Sequence, residues 1–127
     1  MNLFLIFPFS IDNQIPGKLE IISEIALKHK VKIIDENFNV HRFNSENSLL
    51  LLDRADFVIA DLSYERPSCY YEVGYAQAKN KLVFLIANFG TIIFQVRDKS
   101  KIQYYSNLYD YRIIIDEIIT KISKESN

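Results

Sequence analysis

The sequence has little of several things that whole classes of protein require. It contains one cysteine, Cys69, so no disulfide can form within the chain, and two histidines with one cysteine make a poor zinc site. Its formal net charge is -1, so the chain lacks the excess of basic residues that is typical of a general nucleic-acid binder. No apolar run approaches the ~18 residues needed to cross a bilayer. We therefore expect no metal, cofactor, nucleic-acid or membrane partner, and the lone cysteine favours the reducing cytoplasm.

The length and apolar content of the chain predict a single domain, residues 1–127. Its 127 residues lie near the commonest domain size, and 49% of them are hydrophobic. No internal repeat or low-complexity linker divides the chain, and only residues 123–127 resemble a frayed end. The apolar start, residues 3–7, lacks the basic residues and the cleavage site of a signal peptide. We expect it to be a buried first strand.

Short apolar runs alternate with longer amphipathic stretches along the chain. The runs of strand length are residues 3–7, 31–34, 57–60 and 82–87, with a fifth strand expected over 102–105. Helical spacing predicts helices over residues 18–29 (after a break at Pro16-Gly17), 45–54, 68–80 and 108–123. This alternation predicts an α/β fold: a doubly wound, five-stranded parallel sheet of flavodoxin-like order 2-1-3-4-5, with helices on both faces.

Ligands of such folds bind beyond the carboxyl ends of the strands, where the strand order reverses. In the predicted order this point lies between the loop after the first strand, residues 7–10, and the loop after the third, residues 61–63. We call the space between these two loops the switch-point crevice. The sequence predicts that a ligand binds there.

Residues 60–78, ADLSYERPSCYYEVGYAQA, carry the chemistry. Asp61 ends a predicted strand, and Glu72 lies in the opening turns of the next helix, where the helix dipole favours an ionised carboxylate. An ionised carboxylate at the crevice is suited to act as a nucleophile or to stabilise an oxocarbenium ion. Gly74 and Ala78, four residues apart, predict a smooth helix face that approaches the sheet closely.

Residues 60–78 resemble the signature of the nucleoside 2-deoxyribosyltransferase-like superfamily. That group also includes deoxynucleotide N-glycosidases and small TIR-like nucleotide-binding proteins. Residues 4–10, FLIFPFS, are similar to its first strand and its phosphate- or sugar-facing loop. Residues 93–98, IFQVRD, with Ile102 and Tyr104, resemble a segment of the TIR-like branch. Together these matches cover most of the chain.

The resemblance implies cleavage or transfer at the N-glycosidic bond of a nucleoside or nucleotide, with Glu72 as the nucleophile that attacks C1′. It implies that Asp61 hydrogen-bonds sugar hydroxyls or a loop amide, and that Ser10 and the amides near Phe9 and Ser63 hold a phosphate at a helix N-terminus. It also implies a homodimer or larger homo-oligomer. The residues expected to bind substrate are Phe7, Pro8, Phe9, Ser10, Ser63, Tyr71, Tyr75 and Arg97.

Departures from the family pattern keep other functions open. Arg66 and Ser68 stand where the family has asparagines, Ser48 stands where the N-glycosidases have an aspartate, and the glycine-rich first loop is missing. The alternative function is therefore a TIR-like module that hydrolyses NAD, or a signalling module that binds a nucleotide without turnover. A response-regulator receiver would need an acidic cluster after the first strand, and a flavodoxin would need a longer loop rich in Ser and Thr. The sequence has neither.

Overall fold

The computed structural model describes residues 1–9, 11–34, 45–96 and 98–125. For residues 45–47 it describes the backbone alone. The strands are β1 (Asn2–Ile6), β2 (Lys32–Ile33), β3 (Phe57–Asp61), β4 (Leu82–Asn88) and β5 (Ile102–Tyr105). The helices are α1 (Ile15–Lys28), α2 (Ser45–Leu52), α3 (Pro67–Ala78) and α4 (Leu108–Glu125). Two short 3₁₀ turns, Ser63–Glu65 and Lys99–Lys101, precede α3 and β5.

The five strands form one parallel sheet in the order β2-β1-β3-β4-β5, which confirms the predicted topology. Leu3 of β1 pairs with Phe57 of β3, and Asp61 at the end of β3 pairs with Ile86 of β4. The carboxyl ends of β1 and β3 are therefore neighbours. This arrangement places the switch-point crevice beyond the carboxyl ends of β1 and β3, the two strands between which the strand order reverses.

Each face of the sheet is covered by two helices, as the sequence predicts. Side chains of one face pack with α1 and α4, and those of the other pack with α2 and α3. All five residues of β3 are buried, which explains why its sequence is continuously apolar instead of alternating. The strand side chains facing α1 and α4 include Leu3, Leu5, Phe57, Ile59 and Ile86, and those facing α2 and α3 include Phe4, Ile6, Val58, Ala60 and Leu85.

Helix α1 begins at Ile15, three residues before the predicted start, so the predicted break at Pro16-Gly17 is wrong. A proline in the first helical turn costs little, because the N–H that it lacks would have no partner there. Gly17 serves packing, since a Cβ at this position would lie 3.1 Å from Cδ1 of Leu108 at the start of α4. The pair therefore starts the helix and lets α4 approach it closely.

None of the helices in the described ranges is both long enough and apolar enough to span a membrane. The longest, α4, buries Tyr111, Ile115, Ile118 and Ile119 on one side against α1 and the sheet. Its other side is mostly polar but also exposes Tyr109 and Ile113, and a buried apolar stripe of this kind is the pattern of a helix that covers a sheet.

The predicted smooth face of α3 does not approach the sheet. Gly74 and Ala78 are both exposed, and a Cβ built on Gly74 would meet no atom within 4 Å. The stripe of α3 that packs on the sheet consists of Cys69, Val73 and Ala76. The close approach expected from two small residues is therefore wrong, and Gly74 leaves open space beside the helix.

The open space at Gly74 leads to a stability prediction. We expect Gly74→Ala to raise the free energy of unfolding by about 0.5–1 kcal/mol, because alanine restricts the unfolded chain and favours the helix interior. Urea denaturation measures this change. A loss of stability would show that the helix needs glycine for close packing.

Candidate functional site

A buried polar network lies at the carboxyl ends of the strands. Asp61, the last residue of β3, is fully buried and accepts two hydrogen bonds. The Ser63 amide donates to its Oδ1 at 3.0 Å, and the Tyr105 hydroxyl donates to its Oδ2 at 2.6 Å. Both carboxylate oxygens of Asp61 are thus held from within the protein.

The cation of this network is Lys18, which the sequence analysis did not single out. Its side chain is 1% exposed, and its Nζ donates to the Tyr105 hydroxyl at 2.6 Å and to Oδ2 of Asp12. The same Nζ lies 3.6 Å from Oδ2 of Asp61. One ammonium group therefore serves two buried carboxylates. Its spacing in the sequence could have indicated that it is buried, since Lys18 lies between Ile15 and Ile22 on the buried stripe of α1.

The network joins the ends of several strands. Ser63 Oγ accepts the Asn88 amide at 2.7 Å and lies 3.2 Å from the Tyr105 hydroxyl, which links the loop after β3 to the ends of β4 and β5. Asp12 and Lys18 add the connection from β1 into α1. Burial raises the pKa of Tyr105, and the charge of Asp61 raises it further, so the hydroxyl keeps the proton that it donates.

Asp61 was expected to hydrogen-bond either the sugar hydroxyls of a substrate or a loop amide, and this geometry distinguishes between the two. The carboxylate binds the loop amide of Ser63, and its full burial removes it from contact with a sugar in this conformation. The predicted phosphate site changes as well, because both amides named for it already donate within the chain. The Phe9 amide donates to the Phe7 carbonyl at 2.9 Å, and the Ser63 amide is held by Asp61.

The remaining residues of the loop after β1 are mostly turned inward. Phe7 and Pro8 are buried, with Phe7 in the core beneath α1 and α4. Phe9 is half-buried, and its ring centroid lies 5.6 Å from that of Phe7. Of these predicted substrate-binding residues, Phe9 is the one with surface to offer a ligand. The predicted residues Ser10 and Arg97 lie outside the described residues.

Glu72 is half-buried on α3, five residues after Pro67 and so about 7.5 Å along the helix axis from the first residue of the helix. It borders the packed stripe of the helix, one turn after Cys69. Tyr75, three residues further on, lies on the same flank and donates its hydroxyl to Asp53 just after α2. Glu72 therefore lies on the flank of α3 that faces α2.

Tyr71 and Tyr75, the two tyrosines of α3 expected to bind substrate, are placed differently. Tyr71 is 52% exposed beside Glu72. Tyr75 reaches Oδ1 of Asp53 at 2.8 Å, close to the point where β3 begins, which is the opposite edge of the sheet from the crevice. That hydrogen bond raises the pKa of Tyr75. We therefore give Tyr75 no part in the candidate site.

Cys69 is buried beneath the candidate site and is not a nucleophile. Burial, together with the charges of Glu72 and Asp61, raises the pKa of its thiol to about 12. A thiol with this pKa is protonated at neutral pH and unreactive. The influence of Glu72 also shows that its carboxylate lies within electrostatic reach of the buried stripe.

The raised pKa of Cys69 predicts a loss of stability in alkali. The thiol titrates near pH 9.0 when unfolded and near pH 12 when folded, so its contribution is complete below pH 9.0 and is lost as the pH rises through 12. We expect the free energy of unfolding to fall by about 1 kcal/mol between pH 8 and pH 10 from this group. Denaturant titrations of the wild type and Cys69→Ala measure it. Parallel pH profiles of the two proteins would contradict the assignment.

A cavity of about 860 Å³ lies on the other flank of α3, against β4 and the segment that leads to β5. Apart from Ser10 and Arg97, which lie outside the described residues, none of the residues predicted to bind or react with substrate lines it. Ser48, at the position of the family's aspartate, is half-buried on α2. Among the described residues, no cluster of histidine, cysteine and carboxylate side chains could hold a metal ion.

Searches with the sequence found no matching family model and no matching curated protein. Solved structures do match. The CMP N-glycosidase BcmB of Clostridium botulinum superposes with a TM-score of 0.70 at 16% identity, over 93% of this chain and 99% of that one. A 2-deoxyribosyltransferase from Bacillus psychrosaccharolyticus superposes with a TM-score of 0.63 at 16% identity, over 88% of this chain and 90% of that one. The chain thus has the fold of these two enzymes, which confirms the fold that the sequence resemblance implies.

Proposed function

We propose that this protein cleaves or transfers at the N-glycosidic bond of a nucleoside or nucleotide, with Glu72 as the nucleophile. The observation that carries the proposal is the position of Glu72. Its side chain is half-buried on the α2 flank of α3, in the second turn of the helix that follows the carboxyl end of β3. The chain shares its fold with an N-glycosidase and a 2-deoxyribosyltransferase. Partial burial strengthens its interaction with a developing positive charge and leaves room for contact with a substrate.

The proposed reaction has two steps. A Glu72 carboxylate oxygen forms a bond to C1′ while the bond from C1′ to the base nitrogen breaks, and the base leaves with the electron pair and takes a proton from water. Water then attacks C1′ and loses a proton while the bond from C1′ to the Glu72 oxygen breaks, which releases the sugar and restores the carboxylate. Attack by a nitrogen of a second base, which likewise loses its proton, gives transfer. The negative carboxylate stabilises the oxocarbenium-like transition state of both steps.

The Lys18–Asp61 network supports this site as a positioning element. It fixes Ser63 and therefore the start of the loop that leads into α3, through hydrogen bonds of 2.7 Å and 3.0 Å. Asp61 acts through this loop and not by touching the sugar. Phe9 and Tyr71, which retain exposed surface, are the described side chains proposed to contact substrate.

A second candidate is the TIR-like module that hydrolyses NAD or binds a nucleotide without turnover. Two departures from the resembled enzymes favour it. Arg66 and Ser68 at the start of α3 replace two asparagines, and Ser48 on α2 replaces the aspartate of the N-glycosidases. Retention of Glu72 favours turnover over binding alone.

A substrate panel tests the two candidates together. The purified protein is incubated with ribo- and deoxyribonucleosides, their 5′-monophosphates and NAD, and free base or nicotinamide is measured by chromatography. We expect base release from at least one nucleoside or monophosphate, retained in Glu117→Gln, an exposed glutamate of α4. Nicotinamide release from NAD alone would favour the TIR-like enzyme. Calorimetric binding without any product would favour the sensor, and neither binding nor turnover would contradict both.

The proposal also includes a homodimer or larger homo-oligomer, as the family resemblance implies, and a cytoplasmic location, which the lone cysteine favours. Light scattering on the eluting protein tests the assembly. We expect at least twice the chain mass of 14.9 kDa. A mass equal to one chain at micromolar concentration would contradict this part of the proposal and leave the chemistry at Glu72 untouched.

A further inference from the structure

In the described part of the chain, the residues other than glycine with left-handed backbone angles are Lys30, Tyr64, Glu65 and Asn80. Lys30 and Asn80 each lie one residue beyond the C-cap of a helix, where chains commonly adopt this conformation. Tyr64 and Glu65 lie instead between β3 and α3, in the loop that borders the switch-point crevice. Helix termination therefore explains the first two residues and leaves the pair at the crevice unexplained.

Tyr64 occupies a turn position that favours glycine. The Glu65 amide donates to the Leu62 carbonyl at 3.1 Å and closes the turn, in which Tyr64 has φ 67° and ψ 1°. Glycine or asparagine usually takes such angles, as at the third position of a type II turn, and a bulky side chain adopts them at a steric cost. Strained residues of this kind are concentrated at active sites and ligand clamps. The tyrosine at position 64 therefore indicates a function for its side chain.

The Tyr64 ring contributes little to the interior of the protein. It is 48% exposed, and no hydrogen bond or ring contact among the described residues involves this side chain. Its two neighbours differ, because Ser63 is buried in the Lys18–Asp61 network and Glu65 accepts the Tyr70 hydroxyl at 2.6 Å. The fold thus fixes the chain on both sides of Tyr64 and leaves the ring exposed.

Tyr64 provides the exposed surface of its loop. Asp61, Leu62 and Ser63 are buried and Glu65 is half-buried, so Tyr64 is the exposed residue of 61–65. A ligand that lies in the crevice and contacts this loop therefore meets the Tyr64 ring. Because the strained turn holds the ring in place before binding, less conformational freedom is lost when a ligand contacts it.

A second aromatic residue lies on the other side of the crevice. The strands β1 and β3 are parallel neighbours, with Ile6 paired with Ala60. Phe9 follows Ile6 by three residues and Tyr64 follows Ala60 by four, so the two loops carry aromatic rings at nearly matching positions beyond the paired strands. Aromatic side chains bind nucleic-acid bases by stacking, and they do so with any base because every base has a flat π-face.

We propose that Tyr64 is a substrate-binding residue of the candidate site, and that its ring stacks on the base of the nucleoside or nucleotide. This inference rests on the proposed function, since the base that the ring contacts is the leaving group of the reaction at Glu72. The ring contacts the flat face of the base and not its hydrogen-bonding edge. It therefore distinguishes a nucleotide from a sugar phosphate without a base more strongly than it distinguishes one base from another.

The chain has no tryptophan, so Tyr64→Trp introduces a single fluorophore that reports on stacking. Its emission is followed while the nucleosides, monophosphates and NAD of the substrate panel are added, with 2-deoxyribose 5-phosphate as the control that lacks a base. We expect saturable quenching by at least one nucleoside or nucleotide and none by the sugar phosphate. Leu27→Trp, at an 80% exposed position near the end of α1, is the matched control and should show no saturable quenching.

Two variants without the ring separate its contribution from that of the backbone. Tyr64→Ala keeps a side chain that disfavours the left-handed angles, whereas Tyr64→Gly adopts them without steric cost and should be at least as stable in urea as Tyr64→Ala. We expect both to weaken binding of the same ligand about ten-fold, as for the loss of one stacking partner. Tyr64→Phe keeps the ring and should retain most of the affinity. In turnover the losses should appear as a raised KM, in contrast to Glu72→Gln.

The outcomes separate this inference from the proposed function. A Tyr64→Trp variant that releases base without being quenched, or wild-type affinity in Tyr64→Gly, would overturn the role of Tyr64 and leave the reaction at Glu72 in place. Saturable quenching without base release by the wild type would support stacking on Tyr64 and contradict the reaction. Neither binding nor release with any compound of the panel would contradict both.

Discussion

Replacing Lys18 by methionine is expected to lower the free energy of unfolding by about 3–5 kcal/mol, because it leaves buried carboxylates without their cation. Asp12 and Asp61 are 5% and 0% exposed, and Nζ of Lys18 donates to Asp12 and lies 3.6 Å from Asp61. Methionine retains most of the volume and the apolar stem of lysine, so the change tests charge more than packing. Urea denaturation at neutral pH measures the loss.

Two further variants identify the cause of that loss. Lys121→Met removes an exposed lysine of α4 and should change stability by less than about 0.5 kcal/mol. Adding Asp12→Asn to Lys18→Met removes one of the orphaned charges and should recover part of the loss, since the two sites are in contact. A loss below about 1 kcal/mol in Lys18→Met, or no recovery in the double variant, would show that the cluster is not a compensated ion network.

Replacing Glu72 by glutamine is expected to lower the rate of base release roughly 10³-fold or more at saturating substrate, because the neutral amide neither attacks C1′ nor stabilises a cation beneath the sugar. The substitution keeps the size and hydrogen-bonding shape of the side chain. Because Glu72 is half-buried, we expect the variant to remain folded.

The division of the effect between kcat and KM tests the role of Glu72 more sharply than activity alone. A nucleophile acts in the transition state, so the loss should fall on kcat while nucleotide affinity by calorimetry changes little. Glu117→Gln, on the exposed side of α4, serves as the control and should keep wild-type rates. A Glu72→Gln variant with normal kcat and a raised KM would assign Glu72 to binding instead.

The sheet could be predicted from the sequence because its strands are buried on both faces. Residues 57–60 are continuously apolar, and in the structure β3 is buried throughout. Helix α1 was predicted to begin too late, because a proline and a glycine in sequence indicate a break as readily as a first turn. Only the packing of Gly17 against Leu108 distinguishes the two.

The candidate site was less predictable because it depends on which way each side chain turns. A pattern of residue types places Asp61 and Ser63 after β3, but their burial arises from Lys18 and Tyr105, which lie 43 and 44 residues away from Asp61 in the chain. Long-range hydrogen bonds of this kind leave little trace in local spacing. The same applies to Tyr75, whose partner Asp53 draws it to the opposite edge of the sheet.

A covalent intermediate would test the account most directly. The protein is mixed with the substrate found in the panel, or with its 2′-fluoro analogue to slow the second step, quenched in acid and digested for mass spectrometry. We predict that the peptide carrying Glu72 gains the mass of the glycosyl group, and that Glu72→Gln shows no adduct. Two results would contradict the assignment of Glu72 as the nucleophile. One is an adduct of the active wild-type protein on a residue other than Glu72, and the other is undiminished release of base by Glu72→Gln.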